Sequence, residues 1–189
     1  MLKNTSAEFG LMSRLLHWLS ALLVIGLFAL GLWMVSLDYY HEWYRTAPDL
    51  HRSFGVVLAV LTVARLIWYR ISPKPKALTH YARWEHITAI AVQHTMVLTL
   101  FVLFIAGYLI TTAQGDSLYV FGVVEIPSLI NGIDNLEDIA GSIHEWAAYF
   151  LIALVSLHML AALKHHFIDR DATLKRMLYN SNPSGKEGA

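Results

Sequence analysis

Cysteine is absent. That excludes disulfides, thiolate metal sites and iron–sulfur clusters. Charge is scarce: Asp, Glu, Lys and Arg make up 15% of the 189 residues, against about a quarter in a water-soluble domain. A cleavable signal pattern is also missing. The first apolar run is too long for a signal-peptide core and lacks a small-residue cleavage site, so it reads as a retained first helix. No nucleic-acid partner is expected.

What remains is 56% hydrophobic and falls into four long apolar runs. They are expected to be membrane helices at about 13–37, 49–69, 87–112 and 141–167, because roughly 20 apolar residues span the hydrocarbon core. Ser13 is a candidate N-cap of the first, and Trp18 and Trp33 suit its two interfaces. Residues 1–12 are expected to form a polar, disordered arm and 178–189 a disordered tail, with the membrane domain over 13–177. The segment 70–85, with Pro73 and Pro75, reads as a loop with a short amphipathic helix around 82–86. The connection 113–139 reads as a long polar loop, with a semi-apolar patch, LYVFGVVEIPSLI, that suits the bundle mouth. Four spans and three loops give an all-α, up-down-up-down transmembrane bundle.

Lys and Arg set the expected orientation. Arg70, Lys74, Lys76 and Arg83 lie in the second loop, and Lys164, Arg170, Lys175 and Arg176 at or beyond the end of the fourth span. The first loop holds only Arg45, with Arg52 just inside the second span. The third connection holds neither residue type, but carries Asp116, Glu125, Asp134, Glu137 and Asp138. Both termini are therefore expected on the cytoplasmic side of a multi-pass membrane protein, with the lipid bilayer as its surroundings.

The chemistry lies in the ten histidines. His144 and His158 share the fourth span, fourteen residues apart. Fourteen steps of about 100° are nearly four whole turns, so both rings leave one face at depths roughly 21 Å apart. Sorted by depth, His17, His94 and His158 form a cytoplasmic group, and His51 and His144 an outer one. Ionisable residues inside a membrane are costly and mark function. Two opposed histidines can fill both axial positions of a haem iron and leave it suited to electron transfer. His41, His80 and His86 read as solvated surface residues. His165 and His166 read as interfacial anchors, or, for His165, as a contact to a haem propionate or a quinone. Met12, Met34, Met96 and Met159 are read as core filler without a ligand role. Gly31, Gly55 and Gly107 permit close approach of a macrocycle or of a helix alike.

Several segments are similar to one family. RLLHW from Arg14 to Trp18, HRSFG from His51 to Gly55, His144-Glu145, and LHMLAALKHHFIDRDATLKRM from Leu157 to Met177 resemble the bacterial cytochrome b561 family. Its members are di-haem, four-helix membrane proteins and include a superoxide:ubiquinone oxidoreductase. The resemblance implies two haem b groups with two histidine ligands each. By depth, His17 pairs with His158 and His51 with His144. His94 either replaces His17 or lies beside the cytoplasmic haem near a quinone. The resemblance also implies exchange with the quinone pool, with ubiquinone as acceptor and superoxide or a redox protein as outer-side donor. Arg14, His94, Lys164 and His165 are the candidate quinone contacts, and Arg52 a candidate propionate contact. Two other readings stand beside this one. In the first, the chain is the membrane anchor and electron conduit of a larger oxidoreductase. In the second, it is a metal-ion transporter using histidines as sequential ligands.

Overall fold

The structure is a computed structural model that describes residues 1–76 and 82–179. Four long helices dominate it: α1 (Leu11–Met34), α2 (Thr46–Ile71), α3 (Arg83–Thr112) and α4 (Leu136–Phe167). A small antiparallel hairpin, β1 (Leu118–Val120) and β2 (Val124–Ile126), sits between α3 and α4, and a short α5 (Thr173–Leu178) follows. Mean hydropathy over the best window of each long helix runs from 1.7 to 2.2, yet no more than 11% of any window is buried within the protein. The apolar surface therefore faces outward, as lipid requires and water would not tolerate. The chain is a four-helix transmembrane bundle.

Each helix runs antiparallel to its neighbour in the chain. Trp68 Nε1 donates to Ser13 Oγ at 2.9 Å, tying the end of α2 to the start of α1. Lys164 Nζ donates to Glu85 Oε1 at 2.7 Å, tying the end of α4 to the start of α3. The α1–α2 and α3–α4 hairpins pack closely within themselves and meet each other over less surface. One end of the bundle, the terminal end, gathers residues 1–10, the start of the α2–α3 connection and α5. The other, the hairpin end, gathers 35–45 and 113–135. Hydroxyls within the bundle bond carbonyls one turn back, as Ser20 does to Leu16 and Thr62 to Leu58, so these hydroxyls are not stranded in hydrocarbon.

Helix ends differ from the sequence expectation in consistent ways. α2 begins at Thr46, three residues early, because Pro48 fits a first helical turn that needs no N–H partner there. α3 begins at Arg83, so the separate helix expected around 82–86 is its first turn; Glu85 reaches back to the Ala82 N–H at 3.1 Å. α4 begins at Leu136, where Glu137 and Asp138 complement the positive helix N-terminus. Ser13 is not a cap. The cap is Gly10, and Ser13 lies buried inside the first turn of α1. Residues 1–10 are not a loose arm. Asn4 is buried, with its N–H on Ser72 Oγ, its Nδ2 on the Pro73 carbonyl and its Oδ1 receiving the Gly10 N–H and Ser13 Oγ. The patch from Leu118 is the β-hairpin, turning at Phe121 and Gly122, whose positive φ angles of 51° and 69° match a tight turn. His80 and the tail beyond Tyr179 lie outside the described residues.

Candidate functional site: two histidine pairs across the helix seam

The antiparallel register lines up two levels. At the terminal level, His17 of α1 faces His158 of α4 with ring centroids 6.4 Å apart and planes at 67°. At the hairpin level, His51 of α2 faces His144 of α4 at 6.1 Å and 67°. Both pairs cross the seam between the two helix hairpins. Two imidazole nitrogens each about 2 Å from one metal stand about 4 Å apart, with ring centres roughly 2 Å further apart again. Both separations therefore suit a metal held between the rings, as a two-histidine haem requires.

The hairpin level is shaped by glycine. A Cβ on Gly31 would lie 3.3 Å from His51 Cε1, and one on Gly107 would lie 3.2 Å from His144 Cε1. His144 Nδ1 is 3.1 Å from the Leu103 carbonyl. An N–H there leaves Nε2 as the free lone pair, the usual arrangement of a ligating histidine. His51 Nδ1 is buried with no hydrogen-bond partner among the described residues, a need that a bound group would satisfy. The residues present fit a haem at this level.

The terminal level is shaped by charge. Arg65 of α2 places a terminal nitrogen 3.2 Å from His17 Nδ1, while its Nε donates to the Tyr69 hydroxyl at 3.0 Å. Arginine only donates, so Nδ1 accepts and Nε2 carries the ring proton. A metal on Nε2 would move that proton to Nδ1 and turn the guanidinium away. The fit here holds in ring spacing and asks for that adjustment. Towards the terminal end, Lys164 Nζ bridges Glu85 and, at 2.9 Å, Asp169. His165 Nδ1 lies 2.7 Å from Asp169 and 3.2 Å from Asp171, whose side chain is only 4% exposed. His165, Asp169 and Asp171 thus form a compact titratable group, with the Lys164 ammonium already on one of its carboxylates.

The other expected site residues fall as follows. His94 is exposed on α3, its Nδ1 2.8 Å from the Ile90 carbonyl of its own helix; the ring facing His158 is that of His17. Arg14 reaches the Leu178 carbonyl beside α5. Arg52 is paired with Asp49. It lines a cavity of about 540 Å³ between the start of α2, the end of α3 and the β-hairpin. Near the end of its span, Arg65 reads in the sequence as a snorkelling residue. Yet it follows His51 by fourteen, as His158 follows His144 and Gly31 follows His17. The spacing that located one pair thus places a residue of α1 and of α2 at both levels.

These features define a class: multi-pass membrane electron carriers with inward histidine pairs at two depths. The chain matches the family described as prokaryotic cytochrome b561 over residues 8–180, and it belongs to that family. It is 45% identical over 179 residues, 95% of each chain, to "Cytochrome b561 homolog 2" of Escherichia coli (strain K12). It is 30% identical over 178 residues to "Probable superoxide oxidase CybB" of Yersinia pestis, covering 86% of this chain and 91% of that one. It is 29% identical over 170 residues to "Cytochrome b561 homolog 1" of Escherichia coli (strain K12), covering 86% and 92%. Membership makes the protein a membrane electron carrier and implies haem b.

Proposed function

We propose that the chain is a di-haem b-type cytochrome carrying electrons between a donor at the hairpin end and ubiquinone at the terminal end. His17 and His158 hold one haem iron, and His51 and His144 the other. His94 is not a ligand in this reading and stands beside the terminal-level site. The observation that carries the proposal is the matched ring separation of the two pairs, 6.4 and 6.1 Å, at depths roughly 21 Å apart along α4. A haem with both axial positions filled supplies one-electron transfer without binding oxygen.

The chain's own groups do the rest. Reduction of a quinone takes two electrons and two protons. Lys164, His165 and Arg14 stand where a quinone head group would meet the terminal end, and the N–H groups of Lys164 and Arg14 are donors suited to its carbonyl oxygens. Arg52 at the hairpin end is placed to pair with a propionate. The terminal end is the cytoplasmic one in this reading, on the Lys and Arg count, and the membrane is the bacterial inner membrane. Superoxide, giving one electron and leaving as O2, is a candidate donor, as the name of the Yersinia pestis relative suggests for that protein.

The test is the haem-to-protein ratio of the purified chain, followed by oxidation of the reduced protein with a short-chain ubiquinone. Two haem b per chain and quinone-dependent reoxidation support the reading. One haem means that one histidine pair is not a site. None, with ample haem supplied during expression, overturns it.

A further inference from the structure

The hairpin end has a charge pattern of its own. Asp38, Glu42, Asp49, Asp116, Glu125, Asp134, Glu137 and Asp138 are all exposed there. Among the described residues, Arg45 and Arg52 are the only Lys or Arg at this end to set against these eight carboxylates, and Arg52 is paired with Asp49. From residue 84 to residue 163 the chain has no Lys or Arg at all. Within this acidic field lies a group of exposed apolar side chains on the β-hairpin and the loop after it. Val123 is 84% exposed and Leu129 78%, with Val124, Ile130 and Ile133 beside them. An apolar centre with a rim of one charge is the make-up of a protein docking face, and an isolated apolar patch of this kind marks an interaction site.

The patch stands over the hairpin-level histidines. The Phe121 N–H donates to Ser53 Oγ at 2.8 Å, and Ser53 is two residues past His51. The Phe121 ring meets Phe54 edge-on at 5.2 Å. A molecule seated on the hairpin is therefore one turn of backbone from a proposed iron ligand.

We propose that the hairpin end is the docking face for a basic, soluble electron-transfer protein, which is the donor to the His51–His144 level. The proposal rests on the electron-transfer reading above and replaces its anionic donor with a cationic one. A field of this sign repels superoxide and phosphate-bearing lipid surfaces and attracts a lysine-rich protein. One electron leaves the partner's reduced centre at each encounter and enters the chain at the hairpin level. Two encounters supply the pair that a quinone takes up with two protons.

The test uses the purified, haem-loaded protein, reduced beforehand, and a basic cytochrome c as probe in its native and its lysine-succinylated form. Electron transfer is followed in the oxidising direction by stopped flow, since docking is the same in both directions. Native cytochrome c should react at least tenfold faster than the succinylated form at low salt, and the gap should close at high salt. The triple substitution Asp116→Lys, Glu125→Lys and Asp134→Lys should slow native cytochrome c at least tenfold and speed the reaction with superoxide. Equal rates for the two forms, or a triple variant as fast as the parent, overturns the proposal. A small uncharged oxidant serves as control. If it reacts with parent and variant alike, the haems are intact and any change belongs to docking. A parent that binds no haem condemns the electron-transfer reading before the docking question arises.

Discussion

At the hairpin level the histidines are held by shape; at the terminal level they are held beside charge. Gly31 and Gly107 leave no more than the room that the His51 and His144 rings occupy, and the Leu103 carbonyl sets the His144 tautomer. His17 instead meets the Arg65 guanidinium, and an ion-paired group from Lys164 to Asp171 lies further towards the terminal end. A site set by shape is ready for its ligand. A site set by a donor-only arginine must first exchange a proton and release that arginine. On the proposed di-haem reading, the comparison predicts two haem sites of unequal affinity and unequal potential, with the cation at the terminal level.

The largest effect expected comes from removing a ring. His51→Ala or His144→Ala should take the haem-to-protein ratio from two to one and leave the terminal-level spectrum in place. His17→Ala or His158→Ala should do the reverse. The two remaining signals, separated by redox titration, are the readout. Parallel loss of both haems from every variant, in folded protein, would dissolve the distinction between the levels.

Crowding the glycines should come next. Gly107→Val adds bulk where a Cβ alone would approach the His144 ring to 3.2 Å. Overpacking of this kind costs about 1–3 kcal/mol, or roughly five- to 150-fold in haem retention at the hairpin level. The terminal level should not respond. Haem transfer to an apo-acceptor protein measures both. Equal loss at the two levels would show that Gly107 serves helix packing and not the site.

Arg65→Met should then lower the potential of the terminal-level haem alone. A cation roughly 8 Å from a metal held by His17 would, at an effective dielectric of 20, favour the reduced form by roughly 2 kcal/mol, and turning away from the ring would bring this to about 1–2 kcal/mol. That is on the order of 40–90 mV for one electron. A shift at both levels, or at neither, would remove the argument from charge.

Much of this arrangement was legible beforehand, and the misses share a cause. The four spans follow from apolar length, and the two depth groups from helical arithmetic on His144 and His158, which leaves His17 and His94 as alternatives opposite His158. Arg65 and Gly31 obey the same fourteen-residue arithmetic, but arginine near a helix end reads first as a snorkelling residue and glycine in a membrane helix as a packing device. The hairpin escaped notice because its strands, Leu118–Val120 and Val124–Ile126, are three residues long, too short for alternation to register. The ordered N-terminus escaped because Asn4 is held by Ser72 and Pro73, some seventy residues away. No local pattern announces a partner at that distance. Helix starts at Thr46 and Leu136 were hidden by polar first turns, which suit a helix N-terminus and read as loop.

The smallest effect belongs to the ion-paired group at the terminal end, and its sign follows from Asp169. The Lys164 hydrogen bond, ahead of any other influence, holds the Asp169 carboxyl below its ordinary value of 3.8. A lowered folded-state pKa means that the Asp169 link stabilises fully above the ordinary carboxylate range and is lost as pH falls through the lowered value. Both partners are near the surface, so the gain is screened and small. Acidification below about pH 3.8 should therefore loosen the join between the end of α4 and α5. Asp169→Asn should show that looser state already at neutral pH and lack this part of the acid response. Hydrogen exchange of residues 164–179 in the detergent-solubilised protein reads the effect directly. An acid response in Asp169→Asn equal to that of the parent would assign the sensitivity to another group. A matching change around His51 and His144 would mean that the two levels are not independent.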